Sequence, residues 1–262
     1  MDSRFSQRGR AGRILLALAA TCGFSTIVAG QATQDHRVPV LVELFTSEGC
    51  SDCPPADELL ARLDAAQPVP GAQAIVLSEH VTYWNREGWN DPFSLDAIDL
   101  RQRDYVERFR LQDSYTPQTV VDGAAQMVGN SAPSVVHAVT EAAQNPKQPL
   151  AISDARWADG GATFAVHGNF DPKARLFAVL AADATHSEVS RGENAGRTLH
   201  HVAVVRVMKE FGGDSADGRA MKLAGGPLDH KSEASGQVRL VVFTVDRKTG
   251  HVIAAAEQIL QR

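Results

Sequence analysis

The chain has 262 residues, of which 44% are hydrophobic, 22% charged and 6% aromatic, with a formal net charge of -5. That composition is globular and excludes low-complexity, collagen-like and multi-span membrane chains. Only three cysteines are present, Cys22, Cys50 and Cys53, which excludes a disulfide-dense mini-scaffold.

Arg4, Arg8, Arg10 and Arg13 precede the apolar run Ile14–Ala20, and small residues follow at Val28–Ala32. A basic region, a short apolar core and a small-residue site predict a secretory signal peptide over 1–32. Polar residues from Thr21 to Thr26 interrupt a run already shorter than the roughly 20 residues a membrane-spanning helix needs, so no stable span is expected after cleavage. Cleavage near Gly30 removes four arginines and Asp2, a charge of +3, and leaves -8. Such a surface repels phosphate backbones, and no nucleic-acid partner is expected. A periplasmic or secreted location follows. In that setting the two remaining cysteines, Cys50 and Cys53, are expected to pair.

Val38–Phe45 reads as a buried strand, followed by the turn Thr46–Cys53 and a helix from Pro54 through Leu63. Pro54 suits the first helical position, and Asp57 and Glu58 suit the positive end of the helix. Ala74–Ser78 is a second strand. A helix starting near Ser94 carries Leu95, Ile98, Tyr105, Val106 and Phe109 on one face. Its Arg101, Arg103, Arg108 and Arg110 alternate with Asp99, Asp104 and Glu107, as on a solvated face. Gln118–Asp122 and Ala125–Gly129 read as further strands, and Ser131 precedes a helix with Val135, Val136 and Val139. The predicted order over 37–146 is β-α-β-α-β-β-α.

Asn145–Pro149 reads as a linker. Beyond it, from 149 to 262, short apolar runs alternate with turns: Leu150–Trp157, Ala162–Val166, Ala174–Ala182, Val202–Met208, Val238–Val245 and His251–Leu260. Asp159-Gly160-Gly161 and Lys248-Thr249-Gly250 are hairpin signals. This pattern predicts a smaller all-β, sandwich-like domain. Residues 212–236 are polar and Gly-rich and read as a long loop.

Cys50-Ser51-Asp52-Cys53 carries the chemistry. Two cysteines three apart can close a small disulfide ring, and the attacking species is the thiolate. In a strand–CxxC–helix arrangement the first cysteine is usually exposed and attacks, while the second lies deeper and resolves the mixed disulfide. Cys50 is therefore the expected nucleophile and Cys53 the resolver. Tyr115-Thr116-Pro117 directly precedes the strand Gln118–Asp122.

With these features the chain resembles the thioredoxin fold, in which a cis-proline before a strand faces the CxxC pair. The resemblance implies that Pro117 takes that place and that Thr116 supplies a backbone contact to an extended substrate. The segments 43–57, 80–84, 88–91 and 115–118 together resemble a family of secreted thioredoxin-like proteins catalogued as a domain of unknown function. The expected fold class is thus an α/β thioredoxin-like domain followed by the β-rich domain.

The chain departs from ordinary thioredoxin in having Gly49 rather than Trp before Cys50, no proline between the cysteines, and Pro54 and Pro55 after them. These prolines move the helix start to Cys53 and place Cys50 in the preceding loop. Glu48 and Asp52 flank Cys50, and nearby negative charge raises a thiol pKa. His80 follows the second strand and is a candidate for proton transfer from Cys53, for metal binding or for substrate contact; Trp84 and Trp89 are candidates for an aromatic wall beside Cys50. The loop Arg191–Arg197 and the pair His200-His201 precede a strand in which adjacent histidines point to opposite faces, against joint metal ligation.

The expected function is an exported thiol–disulfide oxidoreductase or redox-dependent binding protein. Its site is Cys50 and Cys53, with Thr116, Pro117, Trp84 and His80 toward a protein or small thiol substrate, and with no cofactor or metal. Two alternatives stay open: an interaction module with a structural disulfide, and a copper-handling protein, since soft thiolates suit Cu(I).

Overall fold

The computed structural model describes residues 1–2, 37–168, 171, 173–212, 217–225 and 236–262. The signal-peptide expectation and most of the 212–236 loop lie outside the described residues. Asp35–Arg262 forms one compact unit.

The first strand, β1 (Val38–Thr46), is buried on both faces: Val40, Leu41, Val42, Leu44 and Phe45 are all 0% exposed. A run of apolar residues with no alternation suits only a central strand. Next come α1 (Pro54–Ala66), β2 (Ala72–His80), a 3-10 turn (Tyr83–Arg86) and α2 (Asp96–Phe109). They are followed by β3 (Gln118–Val121), β4 (Ala125–Val128) and α3 (Ala132–Ala143). Among the described residues of the second half the regular elements are strands: β5 (Leu150–Ala158), β6 (Gly161–Gly168), β7 (Arg175–Glu188), β8 (Thr198–Phe211), β9 (Ala220–Ala224), β10 (Gln237–Val245) and β11 (Val252–Gln261).

Eight strands form one mixed sheet in the order β11-β10-β7-β8-β2-β1-β3-β4. This overturns the expected fold class, an α/β thioredoxin-like domain followed by a smaller all-β sandwich-like domain. The fold is mostly β. The join is at β2, which pairs in parallel with β8 at Ser78 opposite Val204, so strands from both halves of the sequence share one sheet. The edge of β2 is thereby covered by the chain itself, the physical alternative to leaving a row of unpaired backbone groups. The far end of the sheet curls back. Val252 N donates to Asp122 O at 2.8 Å, and Gln148 N donates to Ile253 O at 2.8 Å.

What resembles a sandwich is a three-stranded sheet, β5-β6-β9, laid on one face of β7 and β10. Phe164, Val166, Met221 and Leu223 of the small sheet pack on Leu176, Leu180, Leu240 and Val242 of the large one. Each such buried side chain contributes about 1.5–3 kcal/mol. The small sheet includes β9, within the stretch expected to be loop. The opposite face of β7 and β10 joins the main core through Phe177, Val179, Val241 and Phe243. α1 is fastened across to β10 by Arg239, whose guanidinium donates to Asp64 at 2.7 and 2.8 Å and to Asp183 at 2.7 Å.

Candidate functional site

The turn between β1 and α1 places the cysteines. Pro54 sits in the first turn of α1, and Cys53 is the N-cap. Cys50 lies in the loop before it, as the prolines require. The two cysteines form a disulfide with Cα atoms 5.4 Å apart. Both are buried, Cys50 at 1% and Cys53 at 0% exposure, whereas Ser51 and Asp52 between them are exposed. The expectation of an exposed Cys50 is therefore corrected.

The other half of the chain reaches this turn. The β7–β8 loop, Val189–Arg197, lies on the turn. Asn194 is 0% exposed, and its Nδ2 donates to Glu48 O and Cys50 O, each at 2.9 Å. Ser51 N donates to Glu193 Oε2 at 2.9 Å. Glu193 is held below the usual carboxylate range by its hydrogen bonds from Ser51.

Trp84 borders the turn and carries Thr116 on its indole. A Cβ on Gly49 would lie 3.2 Å from Trp84 Cβ, so glycine lets the tryptophan pack against the turn. Trp84 Nε1 donates to Thr116 Oγ1 at 2.7 Å, and the Thr116–Pro117 peptide bond is cis. Pro117 is buried, and Gly129 N donates to its carbonyl at 2.8 Å. Beside Thr116 and Trp84 a cavity of about 350 Å³ is lined by Tyr83, Asp99, Arg103, Asp113 and Ser114.

His80 is 0% exposed and lies below the turn. Its Nδ1 is 2.7 Å from Asp91 Oδ2, and its Nε2 is 3.2 Å from Ser78 Oγ. Asp91 in turn accepts from Glu48 N at 2.9 Å, so His80 reaches the cysteine turn through Asp91. Burial alone would raise the Asp91 carboxyl, but His80 and the Glu48 and Phe93 amides outweigh it and hold the pKa down.

Glu48 is the hub of this buried network. Its carboxylate accepts from Trp89 Nε1 at 2.8 Å, from Ser187 Oγ, and from His201 Nε2 at 3.2 Å. His201 Nδ1 faces Asp57 Oδ1 at 3.7 Å, and neither Asp57 carboxylate oxygen has a hydrogen-bond partner among the described residues. Burial alone would lower the His201 pKa, yet Asp57 and Glu48 on either side push it up to about 10. An imidazolium thus lies between two carboxylates behind the cysteine pair. The neighbouring His200 is exposed, so the two histidines do face opposite ways. Among the described residues no group of three or more His, Cys, Asp or Glu is arranged to hold a metal ion, and no helix is long and apolar enough to cross a membrane.

Arg101 corrects the reading of α2 as a solvated face. Its side chain is 9% exposed and pairs with buried Glu43, with its guanidinium carbon 5.1 Å from the ring centres of both Phe177 and Phe243. Tyr105 donates to the other Glu43 oxygen at 2.6 Å.

Sequence reasoning named Cys50, Cys53, Trp84, Thr116, Pro117 and His80: Trp84 packs at Gly49 beside the cysteines, Thr116 is joined to Trp84, and His80 connects to the turn through Asp91. It missed Asn194, Glu193 and His201 as parts of the site. They lie more than 140 positions from the turn they touch, and the only local signal was a polar, glycine-flanked loop.

No curated protein matches the chain. Among solved structures, the chain is similar to protein AGR_C_4864 from Agrobacterium tumefaciens, at 23% identity and a TM-score of 0.60 over 86% of this chain and 95% of that one. That likeness supports the fold. A domain of the outer membrane lipoprotein Omp28 from Porphyromonas gingivalis matches 44% of this chain and 88% of its own at 19% identity, with a TM-score of 0.28. The family described as "Protein of unknown function (DUF1223)" matches over residues 41–244, and the chain belongs to that family.

Proposed function

We propose that this chain is an exported protein that exchanges thiols and disulfides, or binds a partner in a redox-dependent way, through Cys50 and Cys53. The observation that carries the reading is the disulfide at the strand-to-helix turn, with Trp84 packed at Gly49 beside it and a buried charged network around Glu48 and His201. In the reduced state Cys50 is the attacking thiolate and Cys53 the resolver. The His201 imidazolium offsets the Glu48 charge that would otherwise raise the thiol pKa. Export rests on the basic–apolar–small pattern of residues 1–32. The substrate expected is a protein or small thiol.

A second reading, an interaction module with a permanent disulfide, is favoured by the burial of both cysteines. One titration separates the two. The mature protein is equilibrated in defined thiol buffers, and the Cys50–Cys53 couple is read by alkylation. A potential between about -120 and -270 mV supports exchange; one below about -300 mV makes the disulfide structural.

A further inference from the structure

We infer that Asn194 is a positioning residue that latches the Val189–Arg197 loop over the cysteine pair, so that exchange at Cys50 requires the latch to release. The inference rests on the exchange reading above and adds what controls access to it.

The loop is built as a preformed cover. It closes on itself through Val189 N to Arg197 O at 2.9 Å and Gly196 N to Val189 O at 2.7 Å. It docks by Gly192, whose φ of +78° suits glycine, and where a Cβ would lie 3.1 Å from Trp89 Cβ and 3.3 Å from Glu87 O. Most of the loop is exposed, but Asn194 is wholly buried. Its amide nitrogen spends both hydrogens on the turn, one on Glu48 O and one on Cys50 O. Its Oδ1 accepts from Arg197 Nη1 at 3.1 Å, which fixes the orientation of the amide. Glu193 occupies the Ser51 amide. The loop therefore holds three backbone groups of the turn, the Glu48 and Cys50 carbonyls and the Ser51 amide, while Cys50 is 1% exposed.

An attacking thiolate must approach along the disulfide axis to reach Sγ of Cys50. A client thiolate would form a bond to Cys50 Sγ as the Cys50–Cys53 bond breaks, and Cys53 would leave with the electron pair and take up a proton. A second client thiol would then close the client disulfide and release Cys50, completing the transfer of two electrons to the pair. With the loop docked, the first of these steps is blocked by the cover. Asn194 is thus a control on rate, acting through the turn backbone rather than on the sulfurs.

The test is the rate at which a trialkyl phosphine reduces the folded oxidised protein. The phosphine attacks one sulfur, water carries it to the phosphine oxide, and both cysteines become thiols. Asn194→Asp keeps the size but has no N–H to donate to the two carbonyls; Asn194→Ala removes the latch. Both are expected to be reduced at least tenfold faster than wild type, after correction for any change in global stability measured by urea unfolding. The wild-type protein supplies an arm that needs no variant. If a local latch limits access, its reduction rate is nearly flat in urea below the unfolding transition. Variant rates equal to wild type after correction, or a wild-type rate that climbs with the slope of global unfolding, overturn the inference. A reduction potential in the structural range would instead remove the exchange reading and leave these rate ratios standing.

Discussion

Glu48 precedes Cys50 by two residues and is itself 0% exposed; half-buried Trp89 and Ser187 and buried His201 reach its carboxylate, and buried Asp91 and Asn194 reach its backbone. A carboxylate out of water is tolerated when paired and fully hydrogen-bonded. Removing His201 would leave Glu48 and Asp57 facing each other uncompensated. His201→Gln is therefore expected to cost about 3–5 kcal/mol, the range for breaking a buried ion pair, read as a fall in the urea midpoint. The pH dependence gives an independent check. The folded pKa of His201, about 10, lies above the ordinary histidine value of 6.5. Its contribution is therefore complete below about pH 6.5 and is lost as pH rises toward 10. Wild-type stability should fall across that window, and the His201→Gln protein should lack that part of the fall. Equal slopes for the two proteins would count against the charged histidine.

At the scale of elements, β2 carries an unusual residue. Glu79 is 0% exposed, and neither of its oxygens has a hydrogen-bond partner among the described residues. Burial, with buried Glu43 next, raises its pKa well above 4.5, against the pull of Arg101. A raised carboxyl favours folding at low pH, and stability declines as pH rises past the unfolded value of about 4.5. Glu79→Gln is expected to raise the urea midpoint at pH 7, with the gain shrinking toward pH 4.5; a loss of stability at pH 7 that shrinks toward pH 4.5 would show instead that Glu79 is held for its charge. Much about such elements was legible in the sequence. The apolar run of β1, Pro54 at the start of α1 and Asp159-Gly160 between β5 and β6 each act locally, through burial or fixed φ, and each falls where the local pattern puts it. The strands beyond residue 150 were legible for the same reason, apart from β9, a five-residue strand alternating exposed and buried in a polar region. Arg101 was not legible, because its burial depends on Phe177 and Phe243, more than 70 positions away. Local pattern records the cysteine turn but not its cover, since Asn194 meets Cys50 only after β7 and β8 have paired and β8 has docked on β2.

For the whole molecule, the deciding contact is the parallel pairing of β2 with β8. The first half supplies its own sequence of strands and helices, yet its polar groups are completed from the second half. Asp64 loses Arg239, Glu48 loses Ser187 and His201, and Arg101 loses the rings of Phe177 and Phe243 if the chain ends before β5. Each loss leaves a buried or half-buried charge short of partners, and β2 regains an open edge. A fragment of residues 37–146 is therefore expected to lack a cooperative thermal transition and to bind a hydrophobic dye, while 37–262 melts in one transition. A fragment that melts cooperatively with dispersed amide resonances would mean that β1–β4 and the three helices complete a core without β8. The same fragment would then expose its cysteine pair to alkylation after reduction without any loop to release, so the two halves meet at the point where stability and access to Cys50 are set by the same strand pair.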